Sequence, residues 1–93
     1  MEFQPFKSYY RNIIKERYAY NCEYIMYTIK SGEEEYLDDK VLIPSDEELN
    51  EKQLIEILGK MIHKQIDEQT KYDNYDIAKL YSVRIDEVYD REL

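Results

Sequence analysis

The stretch "DNYDIAKLYSVRIDEVYD", residues 73–90, fits three different structures, and the choice among them sets the architecture of the chain. With a period of two, Tyr81, Val83 and Ile85 alternate with polar residues, which is typical of a strand. The segment is also rich in β-branched and aromatic residues, which suit a pleated surface. With a period of 3.6, apolar residues from Ile77 to Val88 instead fit one continuous helix.

A helix-turn-helix is the third interpretation, because residues 50–92 resemble that family. The resemblance places a second helix at 74–81 and a short third helix at 85–92. Four positions carry it: Ala78, Ser82 in place of the usual glycine, Val83 and Val88. It implies that the third helix enters the DNA groove, where Asp86 and Glu87 would be repelled by phosphates. Direct binding to duplex DNA is therefore not expected.

A predicted β-hairpin earlier in the chain favours the strand. Residues 22–30 alternate with a period of two, and the "SGEE" stretch after them supplies a turn. Residues 35–43 then return as a second strand, with a break expected at Asp38 and Asp39. A two-stranded hairpin is only marginally stable in water. Residues 79–88 are therefore predicted to form its third strand, ahead of both helical interpretations.

Two helices complete the predicted structure. The segment "FKSYYRNIIKERYAY", residues 6–20, follows Pro5 and places its apolar residues on one face of a helix. Its many Tyr also fit a strand, which stays an alternative here. The segment 50–69 begins with a capping box between Asn50 and Gln53. Its predicted buried stripe consists of Leu54, Leu58, Met61, Ile62 and Ile66.

These elements predict one α+β domain over residues 1–93, a length that suits a single core. A three-stranded, mainly antiparallel sheet is expected to pack one face against the long amphipathic helix. The N-terminal helix is expected to lie beside it.

Residues suited to catalysis or metal binding are few. Cys22 is the single cysteine, which excludes an intramolecular disulfide and is typical of a reduced thiol in the cytoplasm. His63 is the single histidine, and the sequence has no phosphate-binding or calcium-binding loop. No enzymatic activity, catalytic residue, metal or cofactor is predicted. Because no apolar run reaches the length of a membrane span, we expect a cytoplasmic protein without membrane contact.

The most distinctive feature is a run of acids between residues 33 and 51. It contains nine acids and only Lys40 as a base, so its net charge of −8 equals that of the whole chain. A solvated turn, followed by the N-terminal turn of a helix where acids are favoured by the dipole, would account for this run of acids without a binding role. The functional interpretation is a negative patch that occupies phosphate sites in a basic groove. The candidate partner-binding residues are Glu33, Glu34, Glu35, Tyr36, Asp38, Asp39, Asp46, Glu47, Glu48 and Glu51.

In size, acidity and use of Tyr, Glu, Asp and Ile, the chain resembles small phage-encoded inhibitors of the anti-CRISPR and anti-restriction type. The resemblance implies stoichiometric binding to a host nuclease at its nucleic-acid-binding surface, and it assigns no role to single residues. One alternative is an acidic accessory module of a transcription or regulatory complex. The last is a helix-turn-helix repressor that contacts phosphates through Lys7, Arg11 and Lys15.

Overall fold

The computed structural model describes residues 2–67 and 74–93, and the side chains of all of these except 66 and 67. The described part of the chain is α+β, as predicted. Its elements in chain order are β1 (Gln4–Pro5), α1 (Ser8–Ile13), β2 (Tyr18–Lys30), β3 (Glu33–Ser45), α2 (Glu51–Asp67) and β4 (Ile77–Asp90).

The sheet has the strand order β1-β4-β2-β3, with β2 antiparallel to both of its neighbours. The predicted three long strands are therefore present. A fourth, two-residue strand was not predicted: Gln4 and Pro5 pair in parallel with Tyr89 and Asp90. Because β3 and β4 both run antiparallel to β2, they are parallel to each other, and the segment containing α2 connects them.

The hairpin between β2 and β3 has the two-residue loop that the sequence indicates. Ser31 and Gly32 both have positive φ, 53° and 81°, which matches the right-handed twist of paired strands. The break expected at Asp38 and Asp39 is wrong, because β3 continues through both. Each keeps a ladder partner on β2, and Asp39 also accepts a hydrogen bond of 3.2 Å from the Tyr24 hydroxyl.

The segment that fits three structures is a strand. β4 pairs with β2 from Asp90 opposite Tyr18 to Ile77 opposite Ile29, so both helical interpretations are wrong. The physical reason is that a hairpin leaves the ladder groups of β2 unpaired on one edge, and β4 satisfies them.

Two β-bulges interrupt the pairing between β2 and β4. The register shifts between Ile25 and Met26 and again between Asn21 and Cys22. One extra residue of β4, Tyr81 and then Asp86, is therefore accommodated at each shift. The first bulge makes one prediction wrong, because Tyr81 does not share a face with Val83 and Ile85 but contacts a ring on the opposite side.

The main core lies between α2 and one face of the sheet. The alternate residues Tyr20, Cys22, Tyr24, Met26 and Thr28 of β2 are all buried, so one of the two sides that the period of two separates faces the core. They face Leu54, Leu58 and Ile62 of α2, which confirms three members of the predicted stripe. Met61 is 39% exposed and is not part of the core. The side chain of Ile66, the fifth member, lies outside the described residues.

The start of α2 has the predicted capping box. The backbone N–H of Gln53 donates to Asn50 Oδ1, and the backbone N–H of Asn50 donates to Gln53 Oε1, both at 2.9 Å. The buried hydroxyl of Tyr20 accepts a 2.6 Å hydrogen bond from the backbone N–H of Leu49. The centre of the sheet is thereby connected to the entrance of the helix.

The N-terminal helix is shorter than predicted. α1 ends at Ile13, and Tyr18, Ala19 and Tyr20 belong to β2, where all three are buried. Pairing with two neighbouring strands outweighs the helical pattern of this Tyr-rich segment. The segment around α1 covers one end of the second face of the sheet, where Phe6 packs on Tyr89.

Candidate protein-binding surface

The second face of the sheet, opposite α2, is covered at one end only by the segment around α1. We call the remainder the open face. Its residues follow from the strand register and comprise Glu23, Ile25, Tyr27 and Ile29 of β2, Glu34, Tyr36, Asp38 and Lys40 of β3, and Ile77, Lys79, Ser82 and Arg84 of β4. Within the described residues, no helix packs over it.

The predicted acidic run does not form one patch. Along β3, successive residues rise about 3.4 Å, so Glu33 and Ser45 lie about 40 Å apart. The longest dimension of the molecule is 48 Å. Residues 33–39 therefore lie near the hairpin tip, and residues 46–51 lie at the opposite end, where the chain enters α2.

The acids at the α2 end have local structural contacts. The Asp46 carboxylate accepts a 3.4 Å hydrogen bond from the backbone N–H of Arg17. The backbone N–H of Glu47 donates to the Ser45 hydroxyl, which itself donates to the Glu47 carbonyl. Glu51 lies in the first turn of α2, where a negative charge is favoured by the helix dipole. Local contacts thus account for Asp46 and favour Glu51, while the carboxylates of Glu47 and Glu48 are exposed.

The acidic segment, defined here as residues 33–39, has a different character. Its five carboxylates lie along about 20 Å of strand, or about one per 4 Å. A single DNA strand carries about one charge per 3.4 Å of helix axis, so the linear charge densities are similar. Four of the acids are exposed and Asp39 is half-buried. Glu34 and Asp38 lie on the open face, and the others project toward the α2 side.

β3 is an edge strand, since its described ladder partner is β2 alone. Charged side chains on an edge strand prevent pairing with the edge of another molecule. The acidic segment therefore has a second physical explanation besides recognition, and experiments have to separate the two.

Three aromatic rings lie together beside the acidic segment, and we call Tyr27, Tyr36 and Tyr81 the tyrosine cluster. The ring centroids of Tyr27 and Tyr36 are 5.4 Å apart, and those of Tyr36 and Tyr81 are 5.0 Å apart in an edge-to-face arrangement. Tyr36 is 55% exposed and Tyr81 is 63% exposed. Exposed tyrosines in a group are typical of interface hot spots, because they bury much area at a low entropy cost.

The sequence reasoning singled out Tyr36 and missed the other two rings. Tyr27 follows from the register, because it lies directly opposite Tyr36. Tyr81 reaches the open face because of the bulge. The signal for that bulge is the spacing of three between Leu80 and Val83, which both pack toward α2.

Polar groups border the tyrosine cluster. The Tyr27 hydroxyl donates a 2.8 Å hydrogen bond to Glu34 Oε1, and this bond raises the pKa of Tyr27. The Lys79 ammonium lies 5.2 Å from the centroid of the Tyr27 ring. Together with Tyr36 and Tyr81, these groups line a shallow groove of about 320 Å³.

Farther along the open face, Arg84 is paired within the protein. The Arg84 guanidinium lies 3.0 Å from a Glu23 carboxylate oxygen and 2.9 Å from one of Asp86. The exposed rings of Tyr36 and Tyr81 lie at the hairpin end of the open face, next to the acidic segment.

No protein-family model matches the chain, no curated protein matches it in sequence, and no solved structure matches it. Within residues 2–67 and 74–93, no group of three or more His, Cys, Asp or Glu side chains is arranged to hold a metal ion. The described part of the chain also contains no helix that is long and apolar enough to cross a membrane.

Proposed function

We propose that the protein is a non-enzymatic inhibitor of the phage anti-CRISPR or anti-restriction type. In this proposal its acidic segment binds the basic nucleic-acid-binding groove of a host nuclease. The observation that carries it is the set of five carboxylates along seven residues of an edge strand, two on the open face and three toward the α2 side. Counted along the strand, their charge density is close to that of one nucleic-acid strand. A groove built to bind phosphates presents Lys and Arg at comparable intervals, and these would contact the carboxylates instead.

The two parts of the surface have different roles in this proposal. The carboxylates raise the association rate by electrostatic steering, which is sensitive to ionic strength. Tyr36 lies between Glu34 and Asp38 on the same face of β3 and acts as the anchor, which slows dissociation. Truncation of an anchor of this kind costs about 2 kcal/mol of binding free energy or more.

The first experiment identifies the partner by affinity capture from host lysate, with and without nuclease treatment. A protein partner that survives nuclease treatment and loses its own nucleic acid on binding is expected. Recovery of DNA alone would contradict the proposal. So would submicromolar, salt-dependent binding of duplex DNA in a gel-shift titration, because the carboxylates repel phosphates.

The second experiment measures association kinetics with that partner for a variant with five neutral substitutions, E33Q, E34Q, E35Q, D38N and D39N. Its matched control neutralises the same number of acids at the α2 end, D46N, E47Q, E48Q, E51Q and E56Q. We expect the first variant to associate about tenfold more slowly at low salt and to have a flatter salt dependence. The control should lie close to the parent. Equal rates for both variants would show that position does not matter, and the proposal would fail.

The neutral variant should remain folded. Glu33 and Glu35 lie on the same side of β3 about 6.8 Å apart, so their repulsion in water is about 0.6 kcal/mol before screening. Substitution by Asn and Gln relieves it and keeps the carbonyl oxygens that accept from Tyr24 and Tyr27. A slower association therefore cannot be attributed to unfolding, and circular dichroism checks this directly.

A further inference from the structure

The tyrosine cluster is more than a set of apolar side chains on a sheet. Its rings meet at 56° and 70°, so Tyr27 and Tyr81 present their faces at an angle to Tyr36. Aromatic faces arranged around a small groove attract cations through their negative quadrupole. The Lys79 ammonium already lies over the face of Tyr27, at 5.2 Å from its centroid. This contact shows that the face of Tyr27 already accepts a cation, and the rings of Tyr36 and Tyr81 are exposed beside it.

The β-bulge places the third ring in the cluster. Leu80 pairs with Met26 and Ser82 pairs with Ile25, so the ladder is complete without Tyr81. The extra residue nevertheless directs its ring against Tyr36 and leaves it 63% exposed. Bulges are often found where a side chain has to be redirected for function.

A carboxylate completes the groove. Among the described residues, Glu34 accepts one hydrogen bond, from the Tyr27 hydroxyl, and a carboxylate has about four acceptor positions. The remaining positions can receive N–H donors from an incoming group. Asp38 adds a second negative charge on the same face of β3, two residues beyond Tyr36.

This combination of groups favours a guanidinium over an ammonium. The planar guanidinium of arginine can stack on an aromatic face and donate a forked pair of hydrogen bonds to a carboxylate at the same time. A lysine ammonium makes the cation–π contact without the fork. The groove offers both features, with the rings of Tyr36 and Tyr81 next to Glu34.

We propose that the tyrosine cluster, with Glu34, is a receptor for one arginine side chain of the partner. The proposal rests on the proposed function, because it is the basic groove of a nucleic-acid-binding protein that supplies the arginine. The contact between this arginine and the tyrosine cluster is the anchor of that interface. The guanidinium packs against the exposed rings of Tyr36 and Tyr81 and donates to Glu34, while the acidic segment contacts the surrounding Lys and Arg side chains of the partner.

The test uses small probes and therefore does not depend on the identity of the partner. The full chain is titrated with the peptide acetyl-Gly-Arg-Gly-amide, and the resonances of Tyr27, Tyr36 and Tyr81 are followed by nuclear magnetic resonance. The expected dissociation constant is on the order of 10 mM, since the site is exposed and contacts a single side chain. The peptide with citrulline, a neutral isostere of arginine, should bind at least about fivefold more weakly. Equal shifts with both peptides would overturn the proposal.

Two double variants separate cation–π binding from plain hydrophobic contact. Tyr36→Phe with Tyr81→Phe keeps the ring faces, and we expect its affinity for the arginine peptide to stay within about twofold of the parent. Tyr36→Leu with Tyr81→Leu keeps apolar surface without rings, and we expect a loss of about fivefold or more. If the Leu variant binds as the parent does, the inference fails. The proposed function would still stand if the variant neutralised in the acidic segment lost its fast association with the nuclease.

Discussion

Deletion of Tyr81 tests whether this residue is the extra one in the β-bulge. Every ladder pair around it can persist after the deletion, because Leu80 stays opposite Met26 and Ser82 stays opposite Ile25. The main loss is the edge-to-face contact with Tyr36, which is worth about 0.5–1.5 kcal/mol. Little burial is lost, since Tyr81 is 63% exposed. We expect the melting temperature to fall by about 2–12 °C, because 1 kcal/mol shifts it by about 4–8 °C in a domain of this size.

Deletion of Val83 is the matched control, because it removes one residue from the same strand. The bulge can absorb this deletion too, but Ser82 then occupies the place of Val83 opposite Tyr24, on the side that faces α2. The loss of apolar burial and the desolvation of a hydroxyl together cost about 2–4 kcal/mol. The fall in melting temperature should therefore be about two to four times as large as for the first deletion.

Urea and thermal unfolding, followed by far-ultraviolet circular dichroism, measure both deletion variants against the parent. Amide hydrogen exchange adds a local readout along β4, where protection should persist on both sides of the deleted Tyr81. If the two deletions destabilise the protein equally, Tyr81 is not an extra residue, and the register of β4 described above is wrong. The argument that the bulge directs this ring toward Tyr36 would be wrong as well.

Three further predictions concern buried polar and titratable groups. The Arg17 guanidinium donates two hydrogen bonds to Asp90 and lowers the pKa of that carboxylate. The ionised carboxylate therefore stabilises the folded state at pH values above its ordinary pKa, near 3.9, and this contribution is lost as the pH falls through the lower pKa of the folded state. Urea unfolding should show Asp90→Asn less stable than the parent at pH 7, with the difference shrinking below about pH 4. Tyr20→Phe leaves the Leu49 N–H without its acceptor and should lower the free energy of unfolding in urea by about 1–3 kcal/mol. The control Tyr18→Phe, at a second buried tyrosine, should lower it less. Equal losses would contradict this role of the Tyr20 hydroxyl. Burial raises the pKa of the Cys22 thiol to about 11, so iodoacetamide should label it only after unfolding, and rapid labelling of the native protein would contradict its burial.

Local periodicity was sufficient to predict the long elements of this fold. The alternation in residues 22–30 separates the two sides of β2 without indicating which side is buried, and the capping box at Asn50 locates the start of α2. The third strand was predictable for an energetic reason, since a hairpin alone cannot bury an apolar face. Each of these conclusions depends on residues within one turn or one strand of each other.

Features that depend on distant pairing were not predictable in the same way. The segment after α1 has a helical pattern, yet Tyr18 and Ala19 are buried in β2 because β3 and β4 flank them. β1 consists of two residues paired with the C-terminal end of β4, and nothing local distinguishes them from a loop. The direction of Tyr81 depends on a bulge whose spacing signal is visible only once the segment is known to be a strand.

The candidate surface was predicted from charge alone, and the structure refines it for a geometric reason. Residues that are close in sequence are far apart in space when the chain between them is an extended strand. The acids from Asp46 to Glu51 thus lie at the opposite end from Glu33, where the chain enters α2. The tyrosine cluster draws on three strands, so no single stretch of sequence contains it.

Two explanations for the acidic segment remain physically distinct, and the variant neutralised at residues 33–39 distinguishes them. If the carboxylates serve to keep edge strands apart, their removal should promote sheet-to-sheet association, because β3 offers a row of backbone donors and acceptors. Lys40 and Pro44 would still oppose this, as a charge and a missing N–H on the same edge. We therefore expect the variant to sediment as the parent does while its association with a basic partner slows. Increased self-association with unchanged partner kinetics would instead assign the acids to edge protection. Nucleic-acid mimicry predicts slower association with the partner and unchanged self-association, because steering acts only between the acidic segment and a partner of opposite charge.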